Sequence, residues 1–203
     1  MDKGRLEAFS DGVLAIIITI MVLELKAPHE PTLDAVRPLL PVFFSYLLSF
    51  VFVGIYWNNH HHLLQAADHV GGRVLWANMH VLFWLSLVPF ATAWMGHTDF
   101  ARWPVAAYGV VQLGAGFAYY LLSRVLVAGH PADSDLAAAI GDDAKGKLSV
   151  VLYAAAVGLA FLAPLVACGV YALVALMWLV PDRRIEGVLA ARHGRRHPDR
   201  PPA

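Results

Sequence analysis

The stretch Arg5–Lys26, RLEAFSDGVLAIIITIMVLELK, decides the fold of this chain. It begins with charged and small polar residues, among them Ser10 and Asp11, and then runs apolar from Gly12 to Leu23 with Thr19 as a polar interruption. A soluble amphipathic helix would carry one polar face, and this run has none. The stretch therefore predicts a transmembrane helix, and the charge at its start needs a separate explanation.

The composition agrees with that prediction. The chain has 203 residues, of which 59% are hydrophobic and 15% are charged, whereas soluble domains average about 45–50% apolar and about 25% charged residues. We therefore predict an all-α, polytopic membrane protein. The formal net charge is zero, which indicates no nucleic-acid partner. The single cysteine, Cys168, excludes an intrachain disulfide and a cysteine-based metal site.

Six apolar segments can be drawn, since about 20 helical residues cross a bilayer. A tight turn near Ala163-Pro164 divides the last apolar block into segments five and six. The segments are Phe9–Leu25, Leu39–Leu64, Val74–Met95, Pro104–Val127 and the two halves of Leu148–Val180. We expect one six-helix transmembrane domain over residues 1–181 and a basic cytoplasmic tail over 182–203.

The basic residues predict the orientation. With six spans, 12 of the 15 Lys and Arg residues lie on the side that holds both termini. Cytoplasmic loops carry the excess of Lys and Arg, so both termini are predicted to be cytoplasmic. Five spans would separate the two basic ends and weaken this bias. We expect a multi-pass protein of the cell membrane.

Helical periodicity places Ile16, Ile20 and Leu23 on one stripe of the first helix, at i, i+4 and i+7. Thr19 lies beside the stripe. Periodicity alone leaves two interpretations open, because such a stripe can pack against neighbouring helices or can line a pore.

The polar residues at the start of the first helix need partners, because an ionisable residue near membrane depth is costly and indicates a functional site. By topology, the end of the second segment and the start of the third lie at the same depth. We predict a buried hydrogen-bond network of Arg5, Ser10, Asp11, Trp57, His60 and Asn78.

The run His60-His61-His62 does not predict a metal site. Consecutive helical residues point about 100° apart, so few of the three can face one partner. A structural, hydrogen-bonding histidine is the favoured interpretation, and a proton-sensing role is the second. Enzyme motifs such as GxSxG, the P-loop and HExxH do not occur, so no enzyme is predicted.

Polar and aromatic motifs on the first three segments resemble the signature of the transmembrane protein 175 family of endolysosomal potassium channels and their prokaryotic relatives. The resemblance rests on Arg5-x-x-x-Phe9-Ser10-Asp11, on Trp57-x-x-His60, and on Asn78 followed by Pro89-Phe90. It covers the first half of the chain well and continues in the ending Trp178-Leu-Val-Pro181-Asp-Arg-Arg.

The resemblance implies a potassium-permeable channel that assembles as a homotetramer in the lipid bilayer, with four first helices around a central pore. It implies an apolar constriction at Ile16, Ile20 and Leu23 in place of the TVGYG carbonyl filter, which this sequence lacks. Thr19 would match a threonine implicated in potassium preference. Potassium is the permeant ion, and no cofactor or nucleic acid is implied.

The resemblance also assigns Arg5, Phe9, Ser10, Asp11, Trp57, His60 and Asn78 to an interhelical hydrogen-bond network. The three consecutive histidines leave open whether His60 or His61 joins it. Two other functions stay open from the sequence: a proton-coupled or other secondary transporter, and a non-conducting membrane scaffold. Ion flux distinguishes them, because the carrier couples two fluxes and the scaffold passes none.

Overall fold

The computed structural model describes residues 3–67, 69–131 and 144–179, and this part of the chain is helical without strands. A short 3-10 helix, Asp34–Leu39, precedes the second α-helix. The α-helices are α1 (Lys3–Leu23), α2 (Leu40–Ala66), α3 (Gly72–Ser86), α4 (Val88–His97), α5 (Arg102–Ala128), α6 (Ala144–Leu159) and α7 (Pro164–Leu179).

Four helical stretches in the described residues are long and apolar enough to cross a membrane. They are Lys3–Leu23, Asp34–Ala66, Gly72–His97 and Arg102–Ala128, and they match the first four predicted segments. The described parts of α6 and α7 have 16 residues each, fewer than the about 20 of a full span, and they adjoin residues outside the described part of the chain. Six spans and cytoplasmic termini stay predictions, and the predicted tail at 182–203 lies outside the described residues.

The third segment differs from the continuous helix that was predicted. Helix α3 ends at Ser86, Leu87 links the two helices, and α4 begins at Val88. Pro89 occupies the first turn of α4, where its missing N–H costs no intrahelical hydrogen bond. The turn predicted near Ala163-Pro164 is confirmed, because α6 ends at Leu159 and α7 begins at Pro164.

Side-chain hydrogen bonds show which helix ends lie together. Lys3 Nζ, at the start of α1, donates to the carbonyl of Ala67, just after α2, at 3.0 Å. Trp178 Nε1, near the end of α7, donates to Ser149 Oγ, near the start of α6, at 2.8 Å. We call the end of the bundle that holds the start of α1 the base; it also holds the end of α2 and the start of α3.

The centre of the bundle is aromatic. Tyr108 of α5 packs against Phe52 of α2 and Tyr171 of α7, with ring centroids 6.5 and 5.5 Å apart. Tyr153 of α6 joins the same cluster through Phe52 and Tyr171. This core ties together α2, α5, α6 and α7, and α1 lies outside it against α2, α3 and α4.

Candidate functional site: the first helix and its polar base

Helix α1 has two different faces. Leu6, Leu14, Ile17 and Met21 are buried against the rest of the chain. The opposite face carries the predicted stripe, where Ile16 is 60% exposed, Ile20 45% and Leu23 71%. The described residues of the chain therefore leave much of this stripe exposed, and the pore-lining interpretation stays a prediction.

Thr19 lies on the exposed side of α1 beside this stripe. Its hydroxyl donates a 2.8 Å hydrogen bond to the carbonyl of Ala15, one turn earlier in the helix. Because that bond uses the hydroxyl proton, the oxygen keeps lone pairs that can accept from, or coordinate, a group outside the chain.

At the base, three predicted network residues from three helices form a connected hydrogen-bond chain. Asn78 Nδ2 of α3 donates to Ser10 Oγ of α1 at 3.0 Å, and Ser10 donates to the carbonyl of Leu6 at 2.9 Å. Asn78 Oδ1 lies 2.7 Å from His60 Nε2 of α2. Since the amide oxygen can only accept, His60 Nε2 carries the proton in this bond. Ser10, His60 and Asn78 are all buried.

A second contact joins α1 to α2 at the same level. Trp57 Nε1 donates to Asp11 Oδ1 at 3.0 Å, in an exposed position. His61 does not enter the Asn78 chain, because it stacks on Trp57 with centroids 6.2 Å apart and hydrogen-bonds Gln65 at 2.9 Å. Of the two candidate histidines, His60 is therefore the one that reaches Asn78.

Arg5 and Phe9 are not brought into this network. Both side chains are exposed, and within the described residues Arg5 has no hydrogen bond or ion pair. Their assignment to the network stays a prediction, as do the constriction at Ile16, Ile20 and Leu23 and the ion preference of Thr19.

The sequence reasoning missed a buried hydroxyl cluster in the upper half of the bundle. Ser49 Oγ of α2 lies 2.7 Å from Thr92 Oγ1 of α4 and donates to Tyr108 Oη of α5 at 3.1 Å. Thr92 Oγ1 also lies 3.9 Å from the sulfur of Met21 on α1. The available signal was the position of Ser49 and Thr92 inside apolar runs, where an unpaired hydroxyl would be costly.

The histidines of the base do not assemble with acidic or thiol side chains into a metal centre. In the part of the chain that the structure describes, no group of three or more His, Cys, Asp or Glu side chains is placed to hold a metal ion. The contacts that the described residues make across the base are hydrogen bonds between helices.

The sequence is similar to a known family of channels and to two of its bacterial relatives. The family model for the endosomal/lysosomal potassium channel TMEM175 matches residues 5–89. A potassium channel of Chryseobacterium sp. strain P1-3 is 52% identical over 186 residues, which cover 92% of this chain and 97% of the relative. A potassium channel of Streptomyces collinus is 32% identical over 188 residues, covering 87% and 91%.

The fold agrees with a solved structure from the same group. The crystal structure of a lysosomal potassium-selective channel TMEM175 homolog from Chamaesiphon minutus matches with a TM-score of 0.74 at 27% identity. The match covers 88% of this chain and 96% of that one. These relatives are ion channels and not enzymes. From the long alignment at 52% identity and the shared fold, we conclude that the chain is a member of the TMEM175 family.

Proposed function

We propose that this protein is a potassium-permeable ion channel of the cell membrane. Four copies assemble around a central pore lined by α1, and each copy crosses the membrane six times with both termini in the cytoplasm. Two relatives that align over more than nine-tenths of their own length are named potassium channels, which supports this proposal.

The observation that carries the proposal is the exposed stripe of α1. Ile16, Ile20 and Leu23 face away from the subunit, while the opposite face of the same helix is buried. The Ser10–Asn78–His60 chain fixes the base of α1 to α2 and α3, so this face is held in one orientation. A helix held in this way can present the same residues at the axis of a symmetric assembly.

In this proposal, the stripe forms the gate of the pore. Four copies of Ile16 around an axis form a narrow apolar ring, and such a ring gates by dewetting, because an ion in a dry constriction loses its hydration shell. Potassium passes when α1 tilts or rotates and the ring widens. The sequence contains no TVGYG filter, so ion preference is assigned to the ring and to the free lone pairs of Thr19, one turn beyond Ile16.

The test is conduction by purified protein in planar bilayers, with potassium on one side and sodium on the other. Wild type passes potassium down its gradient. Ile16→Asn hydrates the ring, so we expect a rise in leak and single-channel conductance on the order of tenfold, which corresponds to about 1.4 kcal/mol of barrier.

Val151→Asn is the matched control, because Val151 of α6 is also exposed and apolar but lies on a different helix. It should leave conductance unchanged. If Ile16→Asn also leaves conductance and ion preference unchanged, the pore assignment is wrong. Coupled flux would indicate a carrier, and the absence of flux from wild type would indicate a scaffold.

A further inference from the structure

A recess separate from α1 lies among α2, α5, α6 and α7. Its walls are mainly aromatic and include Tyr56 and Phe52 of α2, Tyr119 of α5, Tyr153 of α6 and Trp178 of α7. The recess is partly open and has a volume of about 40 Å³. A single buried water needs about 10–15 Å³ on the same measure, so the recess holds more than one water and less than a drug-sized molecule.

Gly116 of α5 makes this space. A Cβ atom at Gly116 would lie 3.8 Å from Tyr56 Oη and 3.8 Å from the ring edge of Tyr153, which is ordinary contact distance. A side chain at this position would therefore fill the recess without displacing its walls.

Two phenol groups in the recess have unused hydrogen-bonding capacity. Tyr153 is 3% exposed, and neither its hydroxyl nor that of Tyr56 has a hydrogen-bond partner within the described residues. Tyr119 Oη donates to the carbonyl of Asn59 and Ser149 Oγ accepts from Trp178. Tyr120 is a further phenol of the wall, and its hydroxyl also has no hydrogen-bond partner within the described residues. The phenol oxygens of Tyr153 and Tyr56 are not fully buried, so both can be reached from the recess and can hydrogen-bond to a molecule that enters it.

The walls also define the charge of the occupant. The described residues that line the recess carry no charged side chain. The Lys145 ammonium already lies 6.0 Å from the Trp178 ring, which disfavours a second cation at that ring. An anion would lose its hydration without gaining a charged partner. A neutral molecule is the remaining class.

We propose that the aromatic recess around Gly116 is a binding site for small neutral alcohols, whose hydroxyl pairs with Tyr153 and Tyr56 and whose short alkyl chain packs on the aromatic walls. A hydroxyl can both donate and accept, as these two phenols require. The alkyl chain favours an alcohol over water, because each buried methylene strengthens binding about fourfold.

Binding is measured by saturation-transfer NMR on the full-length wild-type protein in deuterated detergent micelles, with irradiation of the aromatic protons that line the recess. Methanol, ethanol, 1-propanol, 1-butanol and 1-hexanol are the probes, and protein-free micelles are measured in parallel. We expect affinity to rise about fourfold per methylene from methanol to 1-propanol and to level off by 1-butanol, when the volume of the recess is filled.

Two variants test the assignment. Gly116→Val fills the recess and should reduce 1-propanol affinity on the order of tenfold. Its matched control is Gly169→Val in α7, where an added Cβ meets no atom within 4 Å, and this variant should bind as wild type does. Tyr153→Phe keeps the ring and should weaken binding about fivefold, the equivalent of one net hydrogen bond.

Three outcomes would overturn the proposal. Affinity that keeps rising through 1-hexanol in parallel with the protein-free micelles would indicate partitioning into detergent. Equal binding to wild type and Gly116→Val, with Tyr153→Phe also unchanged, would place the alcohol elsewhere. No alcohol signal from wild type would mean that the recess takes water only. The assay does not depend on conduction, so its failure leaves the proposed channel function untouched.

Discussion

Asn78 is the residue on which the base depends most, because one amide connects three helices. It donates to Ser10 of α1 and accepts from His60 of α2, and it has no solvent-exposed surface. A side-chain amide suits this position because it offers a donor and an acceptor in fixed relative geometry.

We predict that Asn78→Ala destabilises the protein by about 2–4 kcal/mol, since it leaves the buried His60 Nε2 without its acceptor and removes the hydrogen bond that Ser10 Oγ accepts. Thermal unfolding of the purified protein in detergent measures the effect. Asn59→Ala is the control, because Asn59 donates only to the carbonyl of Ile55 within its own helix and is partly exposed. Equal stability of the two variants would contradict a structural role for Asn78.

At the level of single residues, the sequence predicted most of the base. Ser10, Asp11, Trp57, His60 and Asn78 could be paired because each is polar at the same depth of a predicted span. The choice of His60 over His61 required the structure, since neighbouring histidines differ only in which helix they face. For Arg5, the sequence predicted a place in the network, and the described residues contain no hydrogen-bond or ion-pair partner for it.

Helix α5 packs closely against α6 and α7 at Gly109. A Cβ atom at Gly109 would clash with Tyr171 Oη and would lie 2.8 Å from Val157 Cγ2. Tyr171 cannot move away easily, because it is fully buried and its hydroxyl donates to the carbonyl of Val105 at 3.1 Å.

We therefore predict that Gly109→Ala destabilises the protein by about 1–3 kcal/mol through overpacking. Gly169→Ala is the matched control in α7, where the added methyl group meets open space. That control should be neutral or stabilising by up to about 1 kcal/mol, because alanine has the higher helix propensity. Chemical unfolding in detergent compares the two, and a stable Gly109→Ala variant would show that Tyr171 can repack.

At the level of elements, hydropathy located the long helices but not the break between α3 and α4. An apolar run keeps the same hydropathy whether or not the helix is interrupted, and only Pro89 marked the position. The Ser49–Thr92–Tyr108 cluster was missed for a related reason. A serine or threonine hydroxyl can donate to a backbone carbonyl of its own helix, as Thr92 also does to Val88. The sequence therefore does not show which of these hydroxyls also form hydrogen bonds between helices.

For the whole molecule, the exposed Arg5 and Phe9 lead to a prediction about assembly that rests on the proposed tetramer. Arg5→Ala should leave the unfolding of the subunit unchanged and should weaken assembly roughly tenfold, which corresponds to about 1.4 kcal/mol. Native mass spectrometry across a dilution series measures the tetramer fraction.

Arg37→Ala is the control for this experiment, because Arg37 is also exposed but pairs with Asp34 in the 3-10 helix, away from the base. It should not change the tetramer fraction. Unchanged assembly in Arg5→Ala would mean that Arg5 only meets solvent.

The all-helical class and the division near Ala163-Pro164 were predictable because both follow from local apolar runs and a proline. The number of spans is harder to derive, since one apolar block, Leu148–Val180, has to hold both of the last two spans and is short for two helices of about 20 residues. The oligomeric state is not encoded in any single segment, because it depends on how exposed faces of several copies meet.

The exposed stripe of α1 has a consequence for how such channels diversify. Ile16, Ile20 and Leu23 contribute little to the packing of their own subunit, and substitutions at exposed positions usually change stability by less than about 0.5 kcal/mol. In the proposed pore, a mutation at these positions would alter permeation without bringing the fold below its stability threshold. The proposed pore therefore makes new conduction properties more accessible to selection at these three positions than in the aromatic core, where the same changes would destabilise the fold.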